Sequence, residues 1–180
     1  MLQMQLLISK PEIGSTKWKW ITIPQDEEIL KKELKEFGEF IVADYSGRAT
    51  FFSPFITEYM NLLEFNKQLL ALQESKLFSE KELYAAIDCY DNFDFSNFVQ
   101  DVAKMKINVI SMEKAKDWQM SIEEAAGRLL WEENALRDVN LSGLTKELAD
   151  WICWEDVWYS ELNWRITKIR GEYFLVNCMW

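Results

Sequence analysis

The sequence predicts an α+β protein with a small antiparallel sheet and one helix at its N-terminus. A helical middle follows, then C-terminal helices with a second small antiparallel sheet. Three observations carry that prediction. Short runs rich in β-formers lie near both ends of the chain, and the apolar period between them is helical. Hydrophobic residues make up 49% and aromatics 14% of 180 residues, enough to bury a core.

Along the chain, MQLLIS (4–9) reads as a strand and KWKWITI (17–23) as an alternating strand ended by Pro24. In DEEILKKELKEFG, Leu30, Leu34 and Phe37 fall at i, i+4 and i+7. Acids crowd the first turn of that helix, and Gly38 stands where a C-cap glycine belongs. EFIVADY (39–45) is a third strand, expected to close at a Ser46–Gly47 turn. From Thr57 a helix is expected to about Glu74, with Tyr59, Leu62, Leu63, Leu69 and Leu70 as its stripe. Ser79-Glu-Lys-Glu82 is a capping box opening a helix with Leu83, Ala86, Ile87 and Tyr90 inward. Phe95, Phe98, Val99 and Val102 supply a further short helix. KINVISM (106–112) is a strand, and Ser121-Ile-Glu-Glu124 is a second capping box. It starts a helix to about Leu136 with Ile122, Ala126, Leu129 and Leu130 buried. Thr145 is placed to cap a helix over residues 150–162. WRITKI and EYFLVNCM flank Arg170–Gly171 as a closing β-hairpin. The expected organisation is 1–56 (sheet and helix), 57–104 (helical cluster) and 105–180 (acidic helices and hairpin).

The net charge is −10, and it is uneven: residues 1–25 carry +2, whereas 113–161 hold twelve acids against five bases. Phosphate backbones and anionic membrane surfaces attract lysine and arginine, so this balance disfavours direct binding to nucleic acid or membrane and favours a basic partner. Charge kept only for solubility explains the total equally well, but not its concentration in one block. Three cysteines with no C-x-x-C pair argue against a disulfide framework or a zinc knuckle. The N-terminus lacks the pattern of a signal peptide and no run is long enough for a membrane span, so a cytoplasmic protein is expected.

Within that block, DWICWEDVWYSEL (150–162) places Trp151, Trp154, Trp158 and Leu162 on one helical stripe about 80° wide. Its rim holds carboxylates alone, Asp150 and Glu161 at one edge and Glu155 at the other, while Asp156 faces away. The preceding helix adds Trp131, Glu132 and Glu133, with Glu123 and Glu124 in its first turn, Leu136 near its end and Asp138 beyond. A tryptophan stripe at this spacing is ordinarily core. Aromatic anchors with a charged edge also suit an interface. The expected partner-binding acids are therefore Glu123, Glu124, Glu132, Glu133, Asp138, Asp150, Glu155, Asp156 and Glu161. The expected homodimer contact uses Trp131, Leu136, Trp151, Trp154 and Trp158.

Catalysis finds little support. There is no histidine, which removes Ser-His-Asp and Cys-His arrangements and H-E-x-x-H zinc sites. Phosphate-cradling glycine motifs are absent as well. Asp88, Asp91 and Asp94 form the best carboxylate cluster, but DCYDNFD lacks the glycine and closing glutamate of a calcium loop, so they read as helix-end and turn residues. No catalytic residue, metal or cofactor is assigned.

The ordered pieces WKWITIPQDEEILKKEL, FIVADYSG, ITEYMNLLEFNKQL, IEEAAGRLLWEENALRDVNLSG, LADWICWEDVWYSEL and GEYFLV resemble the ArdA antirestriction family. The resemblance runs through most of the chain in order, apart from about 75–118. Departures from the family pattern are Cys153 where it has an aspartate, Ser160 where it has an arginine, and a first loop, SKPEIGSTK, without tyrosine–asparagine. The resemblance implies an elongated, acidic, dimeric DNA mimic, carried by mobile elements, that occupies the DNA groove of type I restriction–modification enzymes in the bacterial host. The physics is compatible: duplex DNA carries one charge per ~1.7 Å of axis, and helix-borne carboxylates at i, i+3 or i+4 lie ~5–6 Å apart. Two alternatives stand beside it. One is mimicry aimed at an RNA-guided CRISPR nuclease; the other is an acidic protein–protein adaptor without mimicry. A carboxylate metalloenzyme comes last.

Overall fold

The computed structural model of the chain describes residues 2–12, 14–138, 153–155 and 163–177; the side chains of 112, 114 and 131–138 lie outside that description. The architecture is α+β, with helices and two three-stranded antiparallel sheets. The chain divides into two compact units, Met1–Lys104 and Met105–Trp180; residues 1–56 and 57–104 both fall in the first.

In the first unit, strands β1 (Met4–Ser9), β2 (Trp18–Ile23) and β3 (Ile41–Gly47) lie in the order β2-β1-β3. Alternation buries Met4, Leu6, Ile8, Ile21, Ile23 and Val42 on one face of this sheet. Helix α1 (Glu27–Phe37) begins at Asp26, whose side chain accepts from the backbone N–H groups of Glu28 and Ile29, and ends at Gly38, whose N–H donates to the Leu34 carbonyl. Leu30 and Phe37 are buried, as the periodicity requires, and Leu34 is half-buried. A salt bridge of 2.8 Å from Lys19 to Glu33 ties β2 to α1.

Two expectations are corrected here. Ser46–Gly47 does not close β3: both residues pair with β1, Ser46 opposite Gln5 and Gly47 opposite Met4, and the turn follows at Arg48–Ala49. Gly47 has φ +113°, and a Cβ there would stand 3.1 Å from the Met4 Cα, so the glycine serves close strand approach rather than reversal. Helix α2 (Leu62–Ser75) starts later than Thr57 because the Asn61 side chain accepts from Leu63 N–H and Glu64 N–H and caps it; Tyr59 lies outside it, 77% exposed. Its buried stripe is Leu62, Phe65, Asn66 and Leu69, with Leu63 and Leu70 only half-buried. A short 3₁₀ helix, Thr50–Phe55, precedes it.

Helices α3 (Glu80–Asp88) and α4 (Phe95–Val102) complete this unit. The Ser79–Glu82 capping box is formed at both of its bonds, and Asp94 caps α4 by accepting from Asn97 N–H. An aromatic cluster fills the space between them: Phe55 stands 5.2 Å from Phe95 and 5.1 Å from Phe98, and Tyr90 meets Phe98 edge-on at 5.1 Å.

In the second unit, β4 (Ile107–Ile110), β5 (Trp164–Ile169) and β6 (Glu172–Asn177) lie in the order β4-β6-β5. Arg170 (φ +48°) and Gly171 (φ +87°) make the two-residue turn between β5 and β6, the geometry that matches strand twist. Helices α5 (Met112–Asp117) and α6 (Ile122–Asp138) precede the hairpin, α5 being unforeseen from sequence. Ala115, Ala125, Ala126 and Leu130 pack with Ile110, Trp164 and Leu175 as one apolar cluster, edged by Ile122, Leu129 and Trp118. Among the described residues no helix is long and apolar enough to cross a membrane.

Candidate acidic interaction surface

The acidic block begins on α6. The Ser121 hydroxyl accepts from Glu124 N–H at 3.1 Å, and the Glu124 carboxylate accepts from Ser121 N–H at 2.7 Å, so the predicted box is formed. Glu124 is thereby engaged within its own helix end, whereas Glu123 beside it is exposed and forms no ion pair among the described residues.

Farther along, Arg128 holds the surface together. Its guanidinium lies 4.1 Å from the Trp118 ring centroid and 5.9 Å from that of Trp154, so one cation joins the end of α5, the face of α6 and the segment 153–155. Trp154 is 5% exposed; its neighbours Cys153 and Glu155 face solvent, and Glu155 likewise has no ion pair among the described residues. The indole thus fixes a carboxylate at the surface by being buried itself. Sequence reasoning missed this arrangement, because nothing in the spacing of Trp118, Arg128 and Trp154 announces it.

Of the acids expected to bind a partner, Glu132, Glu133 and Asp138 fall on α6, which is helical through Asp138, with their side chains outside the description. Asp150, Asp156 and Glu161 lie outside the described residues, as does the proposed Thr145 cap. For the expected dimer contact, Trp131 and Leu136 are on α6 with side chains not described, and Trp151 and Trp158 lie outside the described residues. Trp154 is placed in the interior of its own chain, which leaves it little surface to offer a second copy.

The charge pattern differs between the two units. In the first, lysines neutralise acids locally: Lys31 pairs with Glu27 at 2.7 Å and Glu28 at 2.9 Å, Lys32 with Glu36 at 4.0 Å, and Lys104 with Asp101 at 3.4 Å. Hydrogen bonding to Lys31 holds the Glu27 carboxyl below its usual range, and the same contact pushes the lysine up. In the second, residues 129–162 hold eight acids against two bases, and the bases gather instead on the hairpin, where Arg165, Lys168 and Arg170 face one acid, Glu172. Lys168 lies 5.0 Å from the Tyr173 ring.

Asp94 serves as the cap of α4, and among the described residues no three carboxylates or thiols converge to hold a metal ion. Of the acids on this surface, the described side chains are the exposed Glu123 and Glu155 and the capping Glu124. No protein-family model, curated protein or solved structure matches the chain.

Proposed function

We propose that this chain is a non-enzymatic, acidic DNA mimic of the ArdA type, which occupies the DNA-binding groove of a type I restriction–modification enzyme in the cytoplasm of a bacterial host. One observation carries the reading: residues 129–162 hold eight acids against two bases, and of the acids here Glu155 within that stretch and Glu123 just before it are exposed and without ion pairs among the described residues. Paired acids, as on α1, present little net field, whereas unpaired ones draw a lysine- and arginine-lined groove from a distance. The Trp118–Arg128–Trp154 stack supports the same reading, since charges held in place lose little freedom on binding. The sequence resemblance supplies the target.

The test is displacement. Labelled duplex bound to a type I methyltransferase core is expected to be released by one equivalent of this protein, less efficiently as salt rises. Glu123→Lys alone is expected to weaken release by less than about fivefold, as for one exposed charge. Combining it with Glu132→Lys, Glu133→Lys and Glu155→Lys is expected to abolish release. Retention of duplex at every protein concentration, with release from an RNA-guided nuclease instead, moves the target to that enzyme. Binding indifferent to salt refutes mimicry and leaves an adaptor.

A further inference from the structure

In the first unit, the aromatic cluster opens to solvent between α2 and α4. Phe55, Phe65 and Phe95 are buried, yet they also line an open groove of about 260 Å³. At its rim stand Met60, half-buried, and Phe93, which is 73% exposed on the connection between α3 and α4. The walls are braced. The Gln68 side-chain amide donates to the Glu64 carboxylate at 3.0 Å on its own helix and to the Ser96 hydroxyl at 2.7 Å on α4. Among the described residues that line the groove, the charged ones are Glu64 and Asp94, both acids. Each accepts from a neutral donor, Glu64 from Gln68 and Asp94 from Asn97 N–H at 3.0 Å, and neither forms an ion pair among the described residues. Lys67, the base nearest to Glu64 in sequence, acts on Glu27 of α1 instead. Around Asp94, residues 82–103 hold Glu82, Asp88, Asp91 and Asp101 besides, with no base. Helices α2 and α4 both begin here, and each N-terminus contributes about half a positive charge. Two full carboxylates outweigh two halves, and the Asn61 and Asp94 caps already occupy N–H groups that an anion would need. The groove is therefore apolar along its length and negative at its edge.

We propose that this groove docks a basic segment of a partner protein, taking an arginine or lysine side chain along the phenylalanines with its charged end toward Glu64 and Asp94. The contact is separate from the acidic surface of the second unit and does not rest on the function proposed above. Both parts of such a side chain are matched. The aliphatic stem covers Met60 and the rings, and the cation meets aromatic faces and unpaired carboxylates together. A chain segment fits better than a free amine. Phe93 offers apolar surface beyond the groove itself, which the neighbouring residues of a segment cover and a small cation leaves wet. The contact area is small, so binding is weak and reversible, in the micromolar range or above.

Fluorescence anisotropy of a labelled short peptide alternating arginine and leucine, titrated with the full chain, tests this. Counterparts carry neutral citrulline or glutamate at the arginine positions. The arginine peptide is expected to bind, less tightly as salt rises, and the citrulline peptide to bind about tenfold more weakly. Phe93→Ala, at an exposed position, is expected to weaken the arginine peptide by about tenfold. Glu64→Gln with Asp94→Asn, which keeps a side-chain cap on α4, is expected to weaken it by about five- to tenfold. Glu123→Gln with Glu155→Gln, on the other acidic surface, should leave the affinity within about twofold. Equal binding of the citrulline peptide, preference for the glutamate peptide, or no binding of the arginine peptide overturns the proposal. So does an affinity that Phe93→Ala leaves unchanged, or one that falls only with the acids of the second unit. Displacement of duplex from the methyltransferase core depends on those other acids, so either result here leaves that test to be decided on its own.

Discussion

Asn66 is a buried amide in the α2 stripe, and replacing it tests how the first unit is joined. The side chain is fully buried and bridges to one residue of the connection between β2 and α1: its carbonyl oxygen accepts from Gln25 N–H at 2.9 Å and its amide donates to the Gln25 carbonyl at 2.9 Å. Asn66→Ala removes both bonds, at roughly 1 kcal/mol each, and strands two backbone groups from their partner. Because Gln25 is only half-buried, water recovers part of that penalty, and the loss should total about 2–3 kcal/mol. At roughly 4 °C per kcal/mol for a unit of this size, Tm falls by about 10 °C. Urea unfolding followed by tryptophan emission reads the loss as a shifted midpoint with an unchanged slope. A second variant checks the cause. Asn66→Asp keeps the acceptor but turns a carboxylate toward the Gln25 carbonyl in a dry site, which raises its folded pKa above the ordinary ~3.9. A raised acid favours folding when protonated, so this variant should lose stability as pH rises above ~4 and recover on acidification. A loss below about 0.5 kcal/mol in Asn66→Ala, or an Asn66→Asp deficit independent of pH, would refute the reasoning.

Two further outcomes follow from named contacts. Arg128→Ala should cost about 1–2 kcal/mol and raise acrylamide quenching of tryptophan emission as segment 153–155 loosens. Arg128→Lys should recover only part of this, since a compact, strongly hydrated ammonium gains less than a planar guanidinium beside aromatic rings. Burial, followed by the 2.9 Å hydrogen bond to Asp101, pushes the Tyr90 hydroxyl above its usual range; its contribution is therefore complete below about pH 10 and lost as pH rises beyond. Tyr90→Phe should then be about 1 kcal/mol less stable near neutrality and resist alkaline unfolding better than the parent, both read from denaturation midpoints against pH.

The elements legible in the sequence are those whose determinants are local. Both serine capping boxes formed because four consecutive residues suffice to make them, and the Arg170–Gly171 turn because two positive φ values are encoded on the spot. Where distance entered, the reading slipped. Ser46–Gly47 has the composition of a turn, but Gly47 lies within β3 because the Met4 backbone passes close beside it, a fact held in a strand some forty residues earlier. Asn66 was not among the residues expected in the α2 stripe, and its partner at Gln25, some forty residues earlier, makes its burial tolerable. At the acidic surface, the concentration of carboxylates was visible as composition, but which are paired was not.

That last distinction turns on one side chain. On α1, Lys31 stands four residues after Glu27 and three after Glu28, and it pairs with both, as helical spacing invites. Arg128 stands four residues after Glu124, the same invitation with the same polarity, yet its guanidinium faces the rings of Trp118 and Trp154 while Glu124 closes its capping box. The choice has a physical basis. A planar, weakly hydrated cation gains more between two partly dehydrated indoles than at an exposed i, i+4 pair worth about 0.3–0.5 kcal/mol. The rings of Trp118 and Trp154 thus engage the base that stands nearest in sequence to the first-turn carboxylates of α6. If that is their role, substituting Trp118 should do more than loosen packing. Trp118→Leu should release Arg128 toward Glu124 and lessen the field that α6 presents, so that its binding to a basic partner weakens although no carboxylate has been removed. A partner affinity unchanged in Trp118→Leu would separate the stack from the charge and reduce it to a packing device.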